Sequence, residues 1–412
     1  PATWGMSSTV TVNGSDTTSA IAAYAVTIGG TSAPSAGWQI SQKFTFSANG
    51  TYYAWVKDQA GNISLSGYEF QITKIDLTDP VISSITMPTD WTAAAEITIN
   101  AADADTGIVA YALTSSSTAP AGGWQDGSSF TITSNGTYYA WVKDGVGNTA
   151  YKSFSFSKID STKPTISSVS LPTSWGAANT VTISANDTGS GVAAYAVTST
   201  NAAPSTGWQT SKSVEVTANG KYYAWAKDAV GNVSAGYEFT VTKVDSDKPV
   251  VSTVTVPDAW ATSSTISISA SDAASGVATY AVTTTNAAPS TGWQTGSSFT
   301  LTANGTYYAW AKDAVGNVSA GYKFTVTKVD TDKPIVDSVS VPTAWGGSST
   351  VTISASDTAS GVVSYAITTS GSAAPGSGWQ ESNSFTFSTN GTYYAWAKDV
   401  AGNVSAGYAF TV

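Results

Sequence analysis

Hydrophobic and polar residues alternate with a period of two along most of the chain, which predicts short β-strands and not helices. In residues 250–256 and 265–270, branched apolar residues alternate with Ser and Thr. Two more strands are predicted at 307–313 and 318–326, on either side of an Asp-x-x-Gly-Asn sequence that is typical of a hairpin turn. Pro- and Gly-rich segments separate the strands. The chain is therefore predicted to be all-β.

This pattern occurs five times, and the 15 tryptophans mark it. The first set recurs at intervals of 84 to 87 residues and consists of Trp4, Trp91, Trp175, Trp260 and Trp345. The second set lies within Gly-Trp-Gln and consists of Trp38, Trp124, Trp208, Trp293 and Trp379. The third set lies within Tyr-Tyr-Ala-Trp and consists of Trp55, Trp141, Trp225, Trp310 and Trp396. We interpret these copies as five domains in tandem.

The copies are separated by a short joint, Lys-Ile/Val-Asp-x-x-x-Pro, which ends at Pro80, Pro164, Pro249 and Pro334. A joint of this length with a proline of fixed φ is predicted to limit the angles between neighbouring domains. Cutting at the joints gives repeat 1 (1–76), repeat 2 (77–160), repeat 3 (161–245), repeat 4 (246–330) and repeat 5 (331–412).

Repeat 1 is predicted to lack its first strand. Pro1 aligns with Pro88, Pro172, Pro257 and Pro342, each of which follows the first strand of a later repeat. Because the chain also stops before another joint sequence, we expect it to be an excerpt of a longer array.

Within repeat 4, alternation places Tyr307, Ala309 and Ala311 on one face of a strand, and we assign this face to the core. Tyr308 and Trp310 then form an outward aromatic stripe. Asn304-Gly305 predicts a tight turn with positive φ before this strand. A Tyr that opens the strand after the turn is typical of the tyrosine corner of immunoglobulin-like sandwiches, which have about seven short strands. The predicted fold is a tandem array of five immunoglobulin-like β-sandwich domains that forms an elongated rod.

Composition narrows the range of functions. The formal net charge is −10, and all 17 basic residues are Lys, so nucleic acid is not an expected partner. There is no Cys and no His, which removes thiol nucleophiles and the usual neutral-pH base. The few Glu residues fall at unmatched repeat positions, so no shared acid pair for glycoside hydrolysis can be assembled. The chain is predicted not to be an enzyme, and its apolar runs are too short for membrane insertion.

The sequences Ser-Gly-Val-x-x-Tyr-Ala-Val and Asn-Gly-Thr-Tyr-Tyr-Ala-Trp-x-Lys-Asp-x-x-Gly-Asn-x-Ser resemble the bacterial Ig-like repeats of large secreted or cell-wall-attached proteins, especially of Gram-positive bacteria. This resemblance covers nearly the whole chain. It implies an extracellular location, at the bacterial cell surface or secreted, and a role as a spacer or stalk that presents a terminal domain. Two alternatives stay open: a multivalent adhesin or carbohydrate-binding array, and a structural subunit of a surface layer or filament. The expected partners are other repeats of the chain, glycans or neighbouring copies.

The outward stripe is the candidate ligand-binding surface, because exposed aromatic rings can stack on sugars or on a partner protein. The alternative is packing within the repeat, with the Gly-Trp-Gln loop or the Lys57 stem lying across the ring. The candidate residues are Tyr53, Trp55, Tyr139, Trp141, Tyr223, Trp225, Tyr308, Trp310, Tyr394 and Trp396.

Carboxylates cluster in sequence near the joints, and Asp228, Asp245, Asp247 and Asp272 are the candidate metal ligands. Oxygen ligands suit calcium, and a cation between repeats would stiffen the array. The alternative is turn formation, because Asp and Asn side chains bond to their own loop backbones. No other cofactor is expected.

Overall fold

The computed structural model describes residues 2–30, 32–344 and 346–412, and every regular element in them is a β-strand. Pro1 and Trp345, which mark the alignment of the repeats, lie outside the described residues. None of the described residues belongs to a helix long and apolar enough to cross a membrane. The all-β prediction is confirmed.

Repeats 1 to 3 contain the first seventeen strands. Repeat 1 contains β1 (Ser8–Thr11), β2 (Ile21–Ile28), β3 (Lys43–Phe46), β4 (Gly50–Asp58) and β5 (Tyr68–Ile72). Repeat 2 contains β6 (Val81–Thr86), β7 (Ala95–Ala102), β8 (Ile108–Thr114), β9 (Ser129–Ile132), β10 (Gly136–Asp144) and β11 (Thr149–Phe156). Repeat 3 contains β12 (Thr165–Ser170), β13 (Asn179–Asn186), β14 (Val192–Thr198), β15 (Ser213–Val216), β16 (Gly220–Asp228) and β17 (Tyr237–Val241).

Repeats 4 and 5 follow the same order. Repeat 4 contains β18 (Val250–Thr255), β19 (Ser264–Ser271), β20 (Val277–Thr283), β21 (Ser298–Leu301), β22 (Gly305–Asp313) and β23 (Tyr322–Val326). Repeat 5 contains β24 (Ile335–Ser340), β25 (Ser349–Ser356), β26 (Val362–Thr368), β27 (Ser384–Phe387), β28 (Thr392–Asp399) and β29 (Tyr408–Thr411). We call the six strands of such a repeat A, B, C, E, F and G in chain order.

Each of repeats 2 to 5 forms two antiparallel three-stranded sheets, one in the order A-B-E and the other in the order C-F-G. In repeat 4 these are β18-β19-β21 and β20-β22-β23, with Val254 opposite Ile268 in the first sheet and Tyr307 opposite Phe324 in the second. Repeat 1 has the complete C-F-G sheet, but its other sheet has only β1 and β3, the strands at positions B and E. This strand order is that of an immunoglobulin-like sandwich, so the chain is a tandem array of such sandwiches.

Each complete repeat has six strands and not the expected seven. The Gly-Trp-Gln loop, where a further strand would lie, contributes one bridge, between Gln294 and Tyr280 of strand C in repeat 4. Trp293 Nε1 donates to the carbonyl of Pro289, at 3.0 Å, and this bond holds the loop in a compact turn. The loop therefore pairs with the sheet at one residue instead of running along its edge.

The core lies between the two sheets, and each core cluster draws on residues of one repeat only. In repeat 4, Ala309 and Ala311 are fully buried beside Ile266, Phe324 and Val326. The assignment of this face of strand F to the core is confirmed. The small alanines allow the sheets to approach closely, and the branched residues of strand B fill the space opposite them.

The tyrosine corner is also confirmed. Tyr307 Oη donates to the carbonyl of Ala303, four residues earlier, at 2.9 Å. The prediction of a positive φ at Gly305 is wrong, because this glycine is not among the residues with positive φ. Asn304 serves another purpose: its Nδ2 donates to the carbonyl of Val329 and its Oδ1 accepts from the Val329 amide, at 2.7 and 2.8 Å. The asparagine thereby fastens the start of strand F to the chain beyond strand G.

The segment after strand A joins the opposite sheet. Gly176 pairs in parallel with Val244, and the same bridge joins Ala261 to Val329 in repeat 4. In repeat 3 the amide of Asp245 donates to the carbonyl of Gly176, at 2.9 Å. This bridge places the segment that follows strand A beside the segment that follows strand G, and it positions the aspartate of the joint.

Candidate functional site

The aromatic stripe is not exposed. The third-set tryptophans are almost completely buried, with exposed fractions of 1% for Trp55 and 5% for Trp310. Trp141, Trp225 and Trp396 are similarly buried, and the adjacent Tyr53, Tyr139, Tyr223, Tyr308 and Tyr394 are half-buried. The expectation of free ring faces on this side of the sheet is therefore wrong for the tryptophans.

Two contacts explain the burial of Trp310. Its Nε1 donates to Thr283 Oγ1 on strand C, at 2.8 Å, so the polar edge of the indole is satisfied within the repeat. Gly321, just before strand G, lies so close that a Cβ there would be 2.8 Å from Trp310 Cζ2. The glycine lets the backbone cover the ring, which period-two alternation alone does not reveal.

A lysine of strand F lies over the ring of each second-set tryptophan. Lys312 Nζ lies 4.3 Å from the ring centroid of Trp293, and Lys57 Nζ lies 4.9 Å from that of Trp38. The same contact joins Lys143 to Trp124, Lys227 to Trp208, and Lys398 to Trp379. The lysine stem was expected over the ring on its own strand, but it lies over the ring of the Gly-Trp-Gln loop. These cation–π contacts fix the loop to the sheet.

The structure brings carboxylates together at all four joints. We call each group of three aspartates a joint cluster. One carboxylate oxygen of each aspartate lies within 4.8 Å of one carboxylate oxygen of each of the other two, and two of the three residues are buried. The clusters are Asp76, Asp103 and Asp144; Asp160, Asp187 and Asp228; Asp245, Asp272 and Asp313; and Asp330, Asp357 and Asp399. The first residue of each cluster ends one repeat, and the other two belong to the next repeat.

At the third joint, Asp245 is bound by both repeats. Its backbone is held by the bridge at Gly176, within repeat 3. Its Oδ2 accepts from the amide of Ser275 in repeat 4 at 3.0 Å, and its carbonyl accepts from Asn317 Nδ2, also in repeat 4, at 3.3 Å. The last residue of one repeat is thus held by two loops of the next repeat.

The other two carboxylates are fixed by tight turns of repeat 4. Asp272 Oδ1 accepts from the amides of Ala274 and Gly276, at 3.1 and 2.8 Å. Asp313 begins the Asp-x-x-Gly-Asn turn, and its Oδ1 accepts from three backbone amides at 2.6 to 3.0 Å. Gly316 in this turn has a φ of +110°, which favours glycine. The turn chemistry and the clustering of carboxylates therefore coexist.

The negative charge of the joint clusters is not balanced by lysines. In the part of the chain that the structure describes, the only ion pairs are Lys221–Glu238 and Lys328–Asp258, so no lysine neutralises a joint cluster. Burial raises the pKa of Asp160, but hydrogen bonds from Thr162 and Ser190 outweigh it and hold that pKa well below its usual value. Asp160 therefore stays ionised at neutral pH, although Asp187 and Asp228 lie close to it.

At the first joint, one carboxylate oxygen lacks a partner. Asp103 Oδ1 accepts from the amides of Asp105, Thr106 and Gly107, at 2.8 to 3.1 Å. Its Oδ2 is buried and has no hydrogen-bond donor. A buried anionic oxygen without a donor is costly, and a cation would satisfy it. The all-oxygen donor set is the type that calcium prefers.

The four predicted metal ligands do not form one site. Asp245 and Asp272 share the third joint cluster, but Asp228 belongs to the second cluster, with Asp160 and Asp187. Asp247 belongs to no joint cluster; it is exposed, and its amide donates to Asp245 Oδ1 at 3.0 Å. Asp313, the third member of this cluster, was not predicted as a ligand, because its position in the hairpin turn already explained why an aspartate occurs there. The recurrence of this aspartate in every hairpin could have indicated a ligand.

No family model and no curated protein matches the chain, but several solved structures do. The chain is similar to the chicken CNTN1 FN1–FN3 domains, at 13% identity and a TM-score of 0.22, over 60% of this chain and 98% of that one. It is also similar to the N-terminal four Ig domains of Dscam1 isoform 6.44, at 11% identity and a TM-score of 0.21, over 81% and 98% of the chains. A third structure is the central fibronectin-III array of RIM-binding protein, at 14% identity and a TM-score of 0.16, over 60% and 97%. Similarities this low carry no argument about function, and the fold assignment rests on strand order and register.

Proposed function

We propose that the chain is a non-catalytic extracellular spacer, a segment of a larger bacterial surface protein that holds a terminal domain away from the cell. The observation that carries the proposal is the joint, which repeats four times with the same three carboxylates. A spacer needs joints that resist bending, because a freely hinged chain of domains loses reach. The double attachment of Asp245, to Gly176 on one side and to Ser275 and Asn317 on the other, supplies this resistance.

We further propose that a divalent cation, with calcium as the expected ion, binds each joint cluster. Three carboxylates around one position repel one another unless a cation lies between them. The unpartnered Asp103 Oδ2 supports this proposal at the first joint. Because the ligands come from two repeats, a bound cation would hold the joint at one angle.

Glycan binding by the aromatic stripe is not part of the proposal. Trp225 and Trp310 are each 5% exposed, so neither offers a ring face to a sugar.

The spacer role is tested by small-angle X-ray scattering on the full chain with calcium. Five sandwiches end to end have an expected maximum dimension of about 150–200 Å. A particle much shorter than this, with the repeats folded back on one another, would contradict the spacer proposal. Chelation is expected to broaden the distance distribution and lower its maximum, since the joints then bend.

The cation is tested separately by terbium luminescence, which nearby aromatic side chains sensitise. The wild-type chain is expected to bind four terbium ions, one at each joint cluster. Asp272→Asn removes a ligand without altering the hairpin turn of Asp313, and it is expected to leave three tight sites. Asp247→Asn is the matched control, because it changes an exposed neighbouring carboxylate outside the cluster, and it should keep four. Equal stoichiometry in the two variants would refute the assignment.

A further inference from the structure

An open groove lies at the second joint, where repeats 2 and 3 meet. Its volume is about 360 Å³, which is in the range of small-molecule binding sites. Repeat 2 lines it with Trp91, Thr133 and Asn135, and repeat 3 lines it with Thr188 and Gly189. Because both repeats contribute, the groove is a feature of the joint and not of one sandwich.

Trp91, from the first set of tryptophans, is the aromatic side chain of the groove. It is 37% exposed. At the third joint the matching Trp175 is half-buried, and Lys243 Nζ lies 5.4 Å from its ring centroid. In repeat 2 the matching lysine, Lys158, donates instead to the carbonyl of Thr89. The indole at the second joint is therefore accessible, whereas a lysine lies over the indole at the third joint.

Uncharged hydroxyl groups surround the indole. Thr133, Ser161 and Thr188 all line the groove and are exposed. Because they are exposed, each of their hydroxyls can donate one hydrogen bond to a ligand and accept others. The third joint has Ala273 in place of Thr188, and the first joint has Leu77 in place of Ser161. The complete set of hydroxyls is therefore not a general requirement of a joint.

The charge at the groove disfavours an anionic ligand. Asp160 lines the groove, and it stays ionised because the Thr162 hydroxyl and the Ser190 amide donate to its carboxylate, at 2.6 and 2.7 Å. Asp187 of the same joint cluster lies beside it. None of the described residues that line the groove is a lysine. A second anion would be repelled here, so the groove suits a neutral ligand that forms hydrogen bonds.

We propose that the groove at the second joint binds one pyranose ring of a neutral glycan. The flat C–H face of the sugar stacks on the indole of Trp91. The sugar hydroxyls exchange hydrogen bonds with the hydroxyls of Thr133, Ser161 and Thr188. This function goes beyond the spacer role and is independent of it, because none of these contacts involves a cation.

The fourth joint is the nearest match to the second. It keeps a hydroxyl at all three positions, as Thr302, Thr331 and Thr358. However, Asp332 stands there in place of Thr162 and adds a carboxylate, and Trp260 is half-buried. We therefore assign the site to the second joint.

The test uses the full chain labelled with 5-fluorotryptophan, in calcium buffer. It follows the ¹⁹F resonance of Trp91, which is assigned by its loss in Trp91→Phe. Neutral tetrasaccharides of glucose, galactose, mannose and N-acetylglucosamine are titrated, and at least one is expected to shift this resonance saturably at millimolar concentration. Tetragalacturonic acid is the anionic comparison, and it is expected to bind at least about tenfold more weakly, because its carboxylates approach the ionised Asp160.

Thr188→Leu is the groove variant. Position 188 is exposed, so the fold of repeat 3 should tolerate the change, which removes one hydroxyl and narrows the groove. The affinity measured at Trp91 should fall about threefold to tenfold. Thr358→Leu is the matched control, because it makes the same change at the fourth joint, and it should leave the affinity at Trp91 unchanged.

Four results would overturn the proposal. They are an unchanged Trp91 resonance with every neutral tetrasaccharide, equal affinity for tetragalacturonic acid, equal affinity of the Thr188→Leu and wild-type chains, or a loss of affinity in Thr358→Leu as large as in Thr188→Leu. None of these results affects the scattering and terbium tests of the spacer, so the two functions can fail separately.

Discussion

Truncation of a stripe tryptophan tests whether the stripe is part of the packing. Trp310→Ala is expected to unfold repeat 4 at a much lower temperature, because the indole is 5% exposed and packs beneath Gly321. If the ring instead stood free for a ligand, its removal would cause no loss of stability.

The magnitude follows from burial. A buried tryptophan removes about 150–250 Å² from water, and at about 25 cal/mol per Å² this corresponds to about 4–6 kcal/mol. Because the unfolded chain already buries part of this surface, the lower range of about 3–5 kcal/mol measured for aromatic-to-Ala changes is the better expectation. Loss of the Trp310–Thr283 hydrogen bond is included in it. For a domain of this size, the expected decrease in Tm is about 12–40 °C.

The assay is differential scanning calorimetry of the full chain. About one fifth of the unfolding enthalpy should move to lower temperature, since enthalpy scales with the number of residues that unfold. Trp293→Ala is the control from the same repeat. That ring is only partly buried, and Lys312 Nζ lies 4.3 Å from its centroid, so a smaller loss of stability, about 1–2 kcal/mol, is expected. An unshifted thermogram for Trp310→Ala, or equal shifts for both variants, would refute the packing argument.

Two further predictions concern a close contact and a titration. Gly321→Ala should destabilise repeat 4 by about 1–3 kcal/mol, because the new Cβ meets Asn286 Oδ1 and the buried Trp310 ring. Gly347→Ala, where no atom of the described residues lies within 4 Å of the new Cβ, should leave calorimetric melting unchanged. Hydrogen bonds from the amides of Ser19 and Thr18 lower the pKa of Asp16 to about 2. Above its ordinary pKa of 3.8, the ionised carboxylate therefore stabilises the folded state. This contribution to stability is lost as the pH falls to about 2. Carbon-detected NMR of the Asp16 carboxyl should show this midpoint, and a midpoint near 3.8 would mean that the loop does not hold the carboxylate.

The fold was largely predictable from the sequence. Alternation in strand F gave the core face, because burial on one side of a sheet imposes period two on Tyr307, Ala309 and Ala311. The number of strands was overestimated, since a Pro- and Gly-rich loop and a short edge strand have similar composition. The role of Asn304 was also missed: an Asn-Gly pair is a frequent turn signal, and its bond to Val329 links residues far apart in sequence.

The candidate site was less predictable, for physical reasons. Whether the outward face of a sheet is covered depends on a close backbone approach at Gly321, and alternation does not encode that approach. The joint clusters combine residues about 30 and 70 positions apart, such as Asp245, Asp272 and Asp313. Spacing along one loop could not group them, although recurrence of each aspartate in every copy was visible.

The parallel bridge between Gly176 and Val244 has a mechanical consequence. Because the chain enters a repeat through strand A and leaves it after strand G, tension on the two ends pulls the segment after strand A and the segment after strand G in opposite directions. Parallel segments loaded in this way slide past each other only if their hydrogen bonds break together, whereas a hairpin pulled open at one end loses them one at a time. Under tension, the contact between the segment after strand A and the segment after strand G is therefore loaded in shear.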